Sequence, residues 1–282
     1  MLTERAPAKI NLTLEVLGRR PDGFHEIRSV VQAIDLCDYL HFDDGPGTAI
    51  TCDLPGWLPR DSLVSRAVDL LREVTGSPGG VSIKVEKHIP LLSGLGGDSS
   101  DAAAVLLGLN RLWRLNLSTE EMAGLAVKLG SDTTFFVRGG TALMEGRGEK
   151  ITPLPPPPEW WVVLVVPDVS RPPGKTGRMY AALKKKHFTD GSITETLVAY
   201  LYDNSFDESL LFNTFENVAF DEFPVLKTYK EHLIKLGAPH VHLAGSGPTL
   251  FSLYRDIAQA EEMYTACKKQ GMEAYVASTN VE

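Results

Sequence analysis

The stretch that decides the fold runs Pro90-Leu91-Leu92-Ser93-Gly94-Leu95-Gly96-Gly97-Asp98-Ser99-Ser100. It lies between an alternating segment, 81–86, which predicts a strand, and an apolar stripe over 100–113, which predicts a helix. Glycine tolerates positive φ angles, so several backbone N–H groups can converge on one ligand. The following helix adds its unpaired N–H groups and the positive end of its dipole. This arrangement is suited to binding the phosphates of a di- or triphosphate.

Taken alone, the loop leaves a second interpretation open. Turns between strand and helix commonly contain Gly, Asp and Ser, and Asp98 or Ser99 would then serve only as a helix N-cap. Two better-known phosphate loops and the protein kinases are excluded. The dinucleotide fingerprint GxGxxG requires glycine at Ser99, and Gly174-Lys175-Thr176 lacks the first glycine of a Walker A loop, where Val169 stands. The sequence also contains no HRD and DFG pair, which excludes the protein kinases.

Farther from the loop, strand and helix signals mix without strict alternation, which is typical of the α+β class. Strands are predicted over 8–17, where Ile10, Leu12, Leu14 and Val16 share one face, and over 81–86 and 160–166. Helices are predicted over 100–113, 119–129 and 223–236, the second of them with a capped start at Ser118 to Glu121. The prolines at 155–158 cannot enter a helix or a sheet interior, so the run 153–158 predicts a stiff connector. We therefore expect two domains, 1–152 and 159–282, with a rigid loop inside one domain as the alternative.

The composition narrows the class of protein. Of 282 residues, 43% are hydrophobic and 23% charged, which is typical of a globular protein, and the net charge of −8 argues against a nucleic-acid-coating surface. The three cysteines show no metal-ligand spacing, which indicates a reducing compartment. The first residues lack a signal peptide's apolar run, and the longest apolar run is about a third of the ~20 residues of a membrane-spanning helix. We expect a cytoplasmic protein that binds neither nucleic acid nor membrane, as a monomer or weak homodimer.

Several segments together resemble a known family. Residues 6–12 and 20–26, Ala-Pro-Ala-Lys-Ile-Asn-Leu and Arg-Pro-Asp-Gly-Phe-His-Glu, resemble the opening of the kinases that act on 4-diphosphocytidyl-2-C-methyl-D-erythritol. Residues 90–103 resemble the phosphate loop of their parent superfamily, the galactokinase, homoserine kinase, mevalonate kinase and phosphomevalonate kinase (GHMP) group. Residues 243–249 resemble that group's third motif. Matches within 129–149 extend the likeness to nearly the full chain.

The resemblance implies a two-domain α+β, GHMP-kinase-like fold with the active site in the cleft between the domains. It implies ATP on the N-terminal domain and Mg²⁺ bridging the β- and γ-phosphates, with no protein ligand assigned to the metal. The implied reaction transfers the γ-phosphoryl group of ATP to the 2-hydroxyl of a small-molecule substrate, 4-diphosphocytidyl-2-C-methyl-D-erythritol. That reaction belongs to the non-mevalonate route to isoprenoid precursors.

The resemblance also implies roles for single residues. Asp132, which lies just after the helix-ending Gly130 and is expected in a loop, matches the acceptor of the hydroxyl proton. Lys9 matches the cation that keeps this carboxylate ionised and stabilises developing charge. The aromatic rings of Phe24 and Tyr180 match a stacking pair for the cytosine. The nucleotide's phosphates would contact the loop residues Pro90, Gly94, Leu95, Gly96, Gly97, Asp98, Ser99 and Ser100. The substrate would contact Asn11, Phe24, His25, Thr176, Tyr180, Gly245 and Ser246.

Three places depart from the family's pattern. Asp98 stands where a third consecutive glycine is usual, and Thr133-Thr134 stands where Val-Pro is typical. Ser62 occupies a position where an asparagine often helps to hold the adenosine. A carboxylate beside a triphosphate is repulsive unless a metal ion or the helix end offsets it, so Asp98 is expected either to point away as an N-cap or to approach the Mg²⁺.

Two alternatives remain at this stage. One is another GHMP-superfamily kinase with a different acceptor; the pair Phe24-His25 argues against it, because mevalonate and homoserine have no base to stack. The other is a catalytically inactive, nucleotide-binding relative; the presence of both Lys9 and Asp132 argues against that one.

Overall fold

The structure is a computed structural model that describes residues 1–55, 57, 59–77, 79–170 and 174–281. Its backbone forms two compact units that are interleaved along the chain. Unit 1 comprises residues 1–8, 36–91 and 96–139, and unit 2 comprises residues 9–35, 92–95 and those from 140 onwards. The predicted boundary at the proline run stays a prediction.

Unit 1 combines strands with a layer of helices. Its strand residues belong to β1 (Leu2–Asn11), β3 (His25–Asp44), β4 (Thr48–Cys52) and β5 (Val81–Glu86), of which β1 and β3 continue into unit 2. Its helices are α1 (Leu63–Thr75), α2 (Gly97–Leu112), α3 (Thr119–Leu129) and α4 (Ser131–Arg138). Strand β5 pairs antiparallel with β3 and parallel with β4. A single 3₁₀ turn at 59–61 precedes α1.

Unit 2 contains the remaining elements. Its strands are β2 (Thr13–Arg19), β6 (Thr141–Gly146), β7 (Lys150–Pro153), β8 (Trp161–Val166), β9 (Phe212–Asn213), β10 (His242–Leu243), β11 (Leu250–Tyr254) and β12 (Glu273–Ser278). Its helices are α5 (Lys175–Ala182), α6 (Ser192–Tyr202), α7 (Glu216–Glu222), α8 (Val225–Lys235) and α9 (Ile257–Lys269). The described part of the chain is therefore a mixture of helices and sheets without strict alternation, which confirms the α+β class.

A four-stranded sheet organises the core of unit 2. Its strand order is β10-β11-β8-β12, and every neighbouring pair is antiparallel. Strand β8 lies inside the sheet, and all its residues from Val162 to Val166 are buried. A continuous apolar run is what a strand covered on both faces requires, and helix α9 packs on this sheet. Burying such side chains contributes roughly 1.5–3 kcal/mol each.

Most elements predicted from periodicity are confirmed, with shifted ends. Strand β5 spans the predicted residues, with Val81, Ile83 and Val85 buried. Helix α3 begins after its predicted N-cap Ser118, whose side chain forms a capping box with Glu121. The single strand predicted over 8–17 was wrong. The chain bends at residue 12, which separates β1 from β2, yet all four apolar side chains of the predicted face are buried.

Candidate active site

A chain of buried polar side chains begins at Lys9. Strand β1 carries Lys9 and Asn11, which are each 5% exposed. The Nζ of Lys9 donates a hydrogen bond to Oδ1 of Asn11 at 2.7 Å, and Nδ2 of Asn11 donates to Oγ of Ser29 at 2.8 Å. A buried ammonium group is costly unless it is hydrogen-bonded. Strands β1 and β3 therefore hold this cation in one place.

Two glycine turns approach each other beside Lys9: the first lies in the loop 90–100 and the second at 244–247. The backbone N–H of Lys9 donates to the carbonyl of Leu95 at 2.9 Å. Gly94 has φ +92°, and a Cβ atom added to it would lie 2.3 Å from the carbonyl oxygen of Ala244. A Cβ atom added to Gly245, at φ +54°, would lie 2.9 Å from the carbonyl oxygen of Gly94 and 3.1 Å from Nζ of Lys9. Only glycine fits at these two positions, because both the φ angle and the space exclude a side chain.

The predicted substrate residues Thr176 and Ser246 also meet at this second turn. Their hydroxyl oxygens are 2.9 Å apart. Thr176 lies in the first turn of α5, and the Nζ of its neighbour Lys175 donates to the carbonyl of Leu92 at 3.1 Å. Lys175 therefore holds the backbone at the start of the glycine loop, although residues 174–176 do not form a Walker A loop.

The second half of the glycine loop forms the start of helix α2. Gly96, in the left-handed region at φ +80°, is the N-cap of this helix. It has no side chain that could accept a hydrogen bond from the first N–H groups of the helix. Asp98, which is exposed, and Ser99 lie inside the first turn, so the interpretation of either as N-cap was wrong. The first N–H groups of a helix lack intrahelical partners, and an acidic residue there is stabilised by the helix dipole. The helix end thus offsets part of the charge of Asp98.

A buried ion cluster fixes the start of α2 within unit 1. The Nζ of Lys87 contacts Asp38 at 2.5 Å and Asp101 at 2.7 Å, and the three side chains are at most 2% exposed. Oδ1 of Asp38 also accepts the N–H groups of His88 and Ile89. Burial raises the pKa of Asp101 to about 8, and Asp38 adds to this effect while Lys87 opposes it. No pattern in the sequence indicates this cluster, because its three charged residues are far apart in the chain and form no motif.

Asp132 lies in the first turn of helix α4. The loop position predicted for it after Gly130 is wrong, because helix α4 begins directly at Ser131. The side chain is half-buried, at a helix N-terminus, where the dipole favours a carboxylate. The following Thr133 and Thr134, which replace Val-Pro, are 0% and 5% exposed and belong to the helix. Asp132 belongs to unit 1 and Lys9 to unit 2.

Aromatic rings cluster around His25 in unit 2. The His25 and Tyr180 rings are stacked, with centroids 4.8 Å apart, and Phe188 meets His25 edge-on at 6.0 Å. Phe24 is 55% exposed, and the guanidinium of Arg147 lies 4.7 Å from the centroid of its ring. Burial lowers the pKa of His25, and nearby Arg19 lowers it further. The sequence indicates no role for Arg147, although it lies in one of the segments that resemble the family, and the structure shows its contact with Phe24.

Ser62 has a structural role of its own. It is the N-cap of α1, since its Oγ accepts the N–H of Ser65 and donates to the carbonyl of Pro59. Serine is among the preferred N-cap residues, which explains the hydroxyl at this position.

Two family models match the chain. "GHMP kinases N terminal domain" matches residues 62–140, and "GHMP kinases C terminal" matches residues 196–272. A homoserine kinase from Cytophaga hutchinsonii has the same fold, with a TM-score of 0.76 at 20% identity over 99% of this chain and 95% of that one. The fold is that of a GHMP kinase, an ATP-dependent class of enzymes, as the sequence predicted.

Relatives with higher identity define the particular family. A "4-diphosphocytidyl-2-C-methyl-D-erythritol kinase" from Dehalococcoides mccartyi is 47% identical over 99% of this chain and 98% of its own. A relative of the same name from Gloeobacter violaceus is 39% identical over 98% and 93%. A crystal structure of 4-(cytidine 5'-diphospho)-2C-methyl-D-erythritol kinase has a TM-score of 0.84 at 33% identity, with 98% of both chains covered. The chain belongs to the 4-diphosphocytidyl-2-C-methyl-D-erythritol kinase family.

Two absences concern the described residues alone. Among residues 1–55, 57, 59–77, 79–170 and 174–281, no helix is long and apolar enough to cross a bilayer. In the same ranges, no group of three or more His, Cys, Asp or Glu side chains is arranged to hold a metal ion.

Proposed function

We propose that this chain transfers the γ-phosphoryl group of ATP to the 2-hydroxyl of 4-diphosphocytidyl-2-C-methyl-D-erythritol, in the non-mevalonate route to isoprenoid precursors. The observation that carries the proposal is the buried ammonium of Lys9 beside the Gly94 and Gly245 turns, in a chain 47% identical to relatives of that activity over nearly its whole length. This identity does not favour another GHMP-superfamily kinase or an inactive relative.

In the proposed reaction, the substrate's 2-hydroxyl oxygen forms a bond to the γ-phosphorus while the bond from that phosphorus to the bridging β–γ oxygen breaks. ADP leaves, and Asp132 accepts the hydroxyl proton. Lys9 stabilises the charge that develops on the transferring group. Catalysis of this kind depends on positioning and on fixed charge. The hydrogen bond to Asn11 supports this role, since it holds the Lys9 ammonium before the substrate binds.

We propose that Mg²⁺ accompanies the nucleotide. Magnesium ions in kinase sites are held mostly by phosphate oxygens, with one or two carboxylates and several water molecules. Unit 1 offers suitable oxygen donors: the exposed carboxylate of Asp98, and the hydroxyl of Ser100, which is buried and has no hydrogen-bond partner among the described residues. Bound there, the ion would neutralise charge on the β- and γ-phosphates and offset the repulsion from Asp98.

We place the cytosine of the substrate at Phe24, His25 and Tyr180. Every base has a π-face, and stacking on an aromatic ring contributes roughly 1–3 kcal/mol. The exposed ring of Phe24 and the partly buried ring of Tyr180 support this placement. The turn that carries Phe24 is held by its own hydrogen bonds, from the N–H of Phe24 to Asp22 and from the N–H of Arg20 to the carbonyl of Phe24.

The direct test is ADP release from ATP and Mg²⁺ with four acceptors: the cytidylated methylerythritol, mevalonate, homoserine and galactose. We expect ADP only with the first. Release with another alcohol would assign a different GHMP kinase activity, and no release with any acceptor despite ATP binding would refute the kinase proposal.

The role of Asp132 has its own test. Replacing it with Asn keeps its size but removes the proton acceptor, so kcat should fall by about 10²- to 10⁴-fold with little change in the affinity for ATP. Steady-state kinetics and nucleotide titration measure the two quantities. Activity close to that of the wild type would refute the assignment.

A further inference from the structure

The side chains of Asn213 and Glu216 bind the backbone of strand β10 where it leads into the second glycine turn, 244–247. Nδ2 of Asn213 donates to the carbonyl oxygens of Leu243 and Gly245, both at 2.8 Å. Oε1 of Glu216 accepts the backbone N–H of Leu243 at 3.0 Å and lies 3.2 Å from Nδ1 of His242. Leu243 is therefore held on both its backbone N–H and its carbonyl. We call Asn213 and Glu216 the turn clamp.

The clamp is itself well anchored. Asn213 is 4% exposed, and its Oδ1 accepts the N–H of Phe215 at 3.0 Å, so both ends of its carboxamide are used. Strand β9, which contains Asn213, pairs in parallel with β2 at Leu14. Oε2 of Glu216 accepts a hydrogen bond from Lys230 at 2.9 Å. Burial raises the pKa of Glu216, but its contacts with His242 and Lys230 outweigh this and lower it, so the clamp carries a charged acceptor.

What the clamp holds is the turn that adjoins Lys9. Gly245, whose carbonyl Asn213 binds, leaves no room for a methyl group between itself, the carbonyl of Gly94 and Nζ of Lys9. A shift of this turn by a few tenths of an ångström would change the space around the ammonium. Side chains that stabilise developing charge act only when they are held close to the productive geometry.

We propose that Asn213 and Glu216 are positioning residues for phosphoryl transfer. They hold the backbone of residues 244–247 in place, and this backbone sets the position of the Lys9 ammonium. The inference rests on the kinase function proposed above. Neither residue forms part of a motif identified in the sequence, since each acts on backbone groups of a distant segment.

The first test compares Asn213→Ala with Asn110→Ala. Asn110 is a matched control, because its side chain also bonds the backbone of another residue, at both the N–H and the carbonyl of Leu117. It lies at the end of α2 that is remote from the glycine loop. We expect Asn213→Ala to lower kcat by about 10- to 100-fold, with the KM for ATP changed by less than about threefold. Asn110→Ala should lower the melting temperature comparably and leave kcat within about twofold. Equal effects of the two variants on kcat would overturn the proposal.

A second comparison separates the hydrogen bond from the charge. Glu216→Gln keeps an acceptor for the N–H of Leu243 and should retain kcat within about threefold, whereas Glu216→Met has a similar length without an acceptor and should lose about tenfold. If the two variants have the same kcat, the clamp does not act through this hydrogen bond.

Hydrogen exchange tests the clamp without any activity measurement. In the wild type, the N–H of Leu243 is held by Glu216, that of Gly247 by Ala244 and that of Thr249 by Ser93. Asn213→Ala should speed exchange of these three amides, measured by NMR, and leave exchange in β12 unchanged. Unchanged exchange would overturn the inference even with an active enzyme. If the wild type releases no ADP while Asn213→Ala shows faster exchange of these three amides, the kinase function is refuted and the hold of the clamp on the turn is supported.

Discussion

Two groups of side chains in unit 2 differ in what holds them. Lys9, Asn11 and Ser29 are buried and joined by hydrogen bonds of 2.7 and 2.8 Å. Phe24, by contrast, is more than half exposed and meets a guanidinium across its ring. The difference follows from the tasks proposed for them. A charge that stabilises a transition state must be in place beforehand, whereas an aromatic face accepts a base over a range of offsets.

The largest effect is expected from Lys9→Met. Losing a preorganised donor of this kind costs about 10²- to 10³-fold in kcat, while KM for the cytidylated substrate should change little. Lys84→Met, at an exposed lysine on β5, is the control and should behave as the wild type in the same assay. A loss of less than about tenfold in kcat would mean that the buried ammonium is structural.

Gly94→Ala should have the next largest effect. The substitution adds a Cβ atom 2.3 Å from the carbonyl of Ala244 at φ +92°. Gly237→Ala is the matched control, because Gly237 has φ +103° and nothing within 4 Å of an added Cβ. Backbone strain alone costs on the order of 1–3 kcal/mol, so thermal unfolding should show the larger loss for Gly94→Ala, together with reduced kcat. Equal losses would show that the close approach of the two turns does not matter.

Phe24→Ala should act on binding alone. Loss of a stacking ring worth roughly 1–3 kcal/mol raises the KM for the cytidylated substrate by about 5- to 150-fold, with kcat and the KM for ATP nearly unchanged. Tyr202→Ala, at an aromatic residue of α6 that is 62% exposed, is the control. An effect confined to ATP would move the base pocket elsewhere.

The smallest effect concerns pH. Because burial and Arg19 lower the pKa of His25 below its ordinary value near 6.5, the folded state favours the neutral ring. Its stabilising contribution is complete above pH 6.5 and is lost as the pH falls through the lower folded-state pKa. The wild type should therefore lose more unfolding free energy between pH 7 and pH 5 than His25→Gln, as measured in urea. If the unfolding free energy depends on pH in the same way for both proteins, the lowered pKa of His25 is contradicted.

Predictions from local patterns succeeded where the local pattern decides the structure. The alternation in 81–86 and the capping box at Ser118 depend on neighbouring residues, and both appear as expected. The same reasoning missed the bend at Leu12 and the helical start at Ser131. Both errors concern element ends, which depend on the contacts that each end makes in the folded protein.

The candidate site divides in the same way. Lys9, Gly94, Gly245, Thr176 and Ser246 were predicted through motifs, and the structure brings them together within unit 2. Asp132 and the residues 96–100 lie in unit 1, and their roles remain proposals. Asn213, Glu216 and the ion cluster around Lys87 were missed, because each acts on groups far away in the chain and has no periodic or spacing signal.

By itself, the sequence determined the α+β class and the places where glycine permits a tight turn, since periodicity and backbone conformation are properties of short segments. The kinase family was indicated by the resemblance of its motifs to those of a known family. The tertiary structure decided which groups surround the Lys9 ammonium and what holds them. Gly94 and Gly245 are 151 positions apart in the chain, and only folding brings their backbones so close that no side chain fits. The clamp at Asn213 and Glu216 exists for the same reason: buried backbone groups need partners, and the folded chain supplies them from a distant segment.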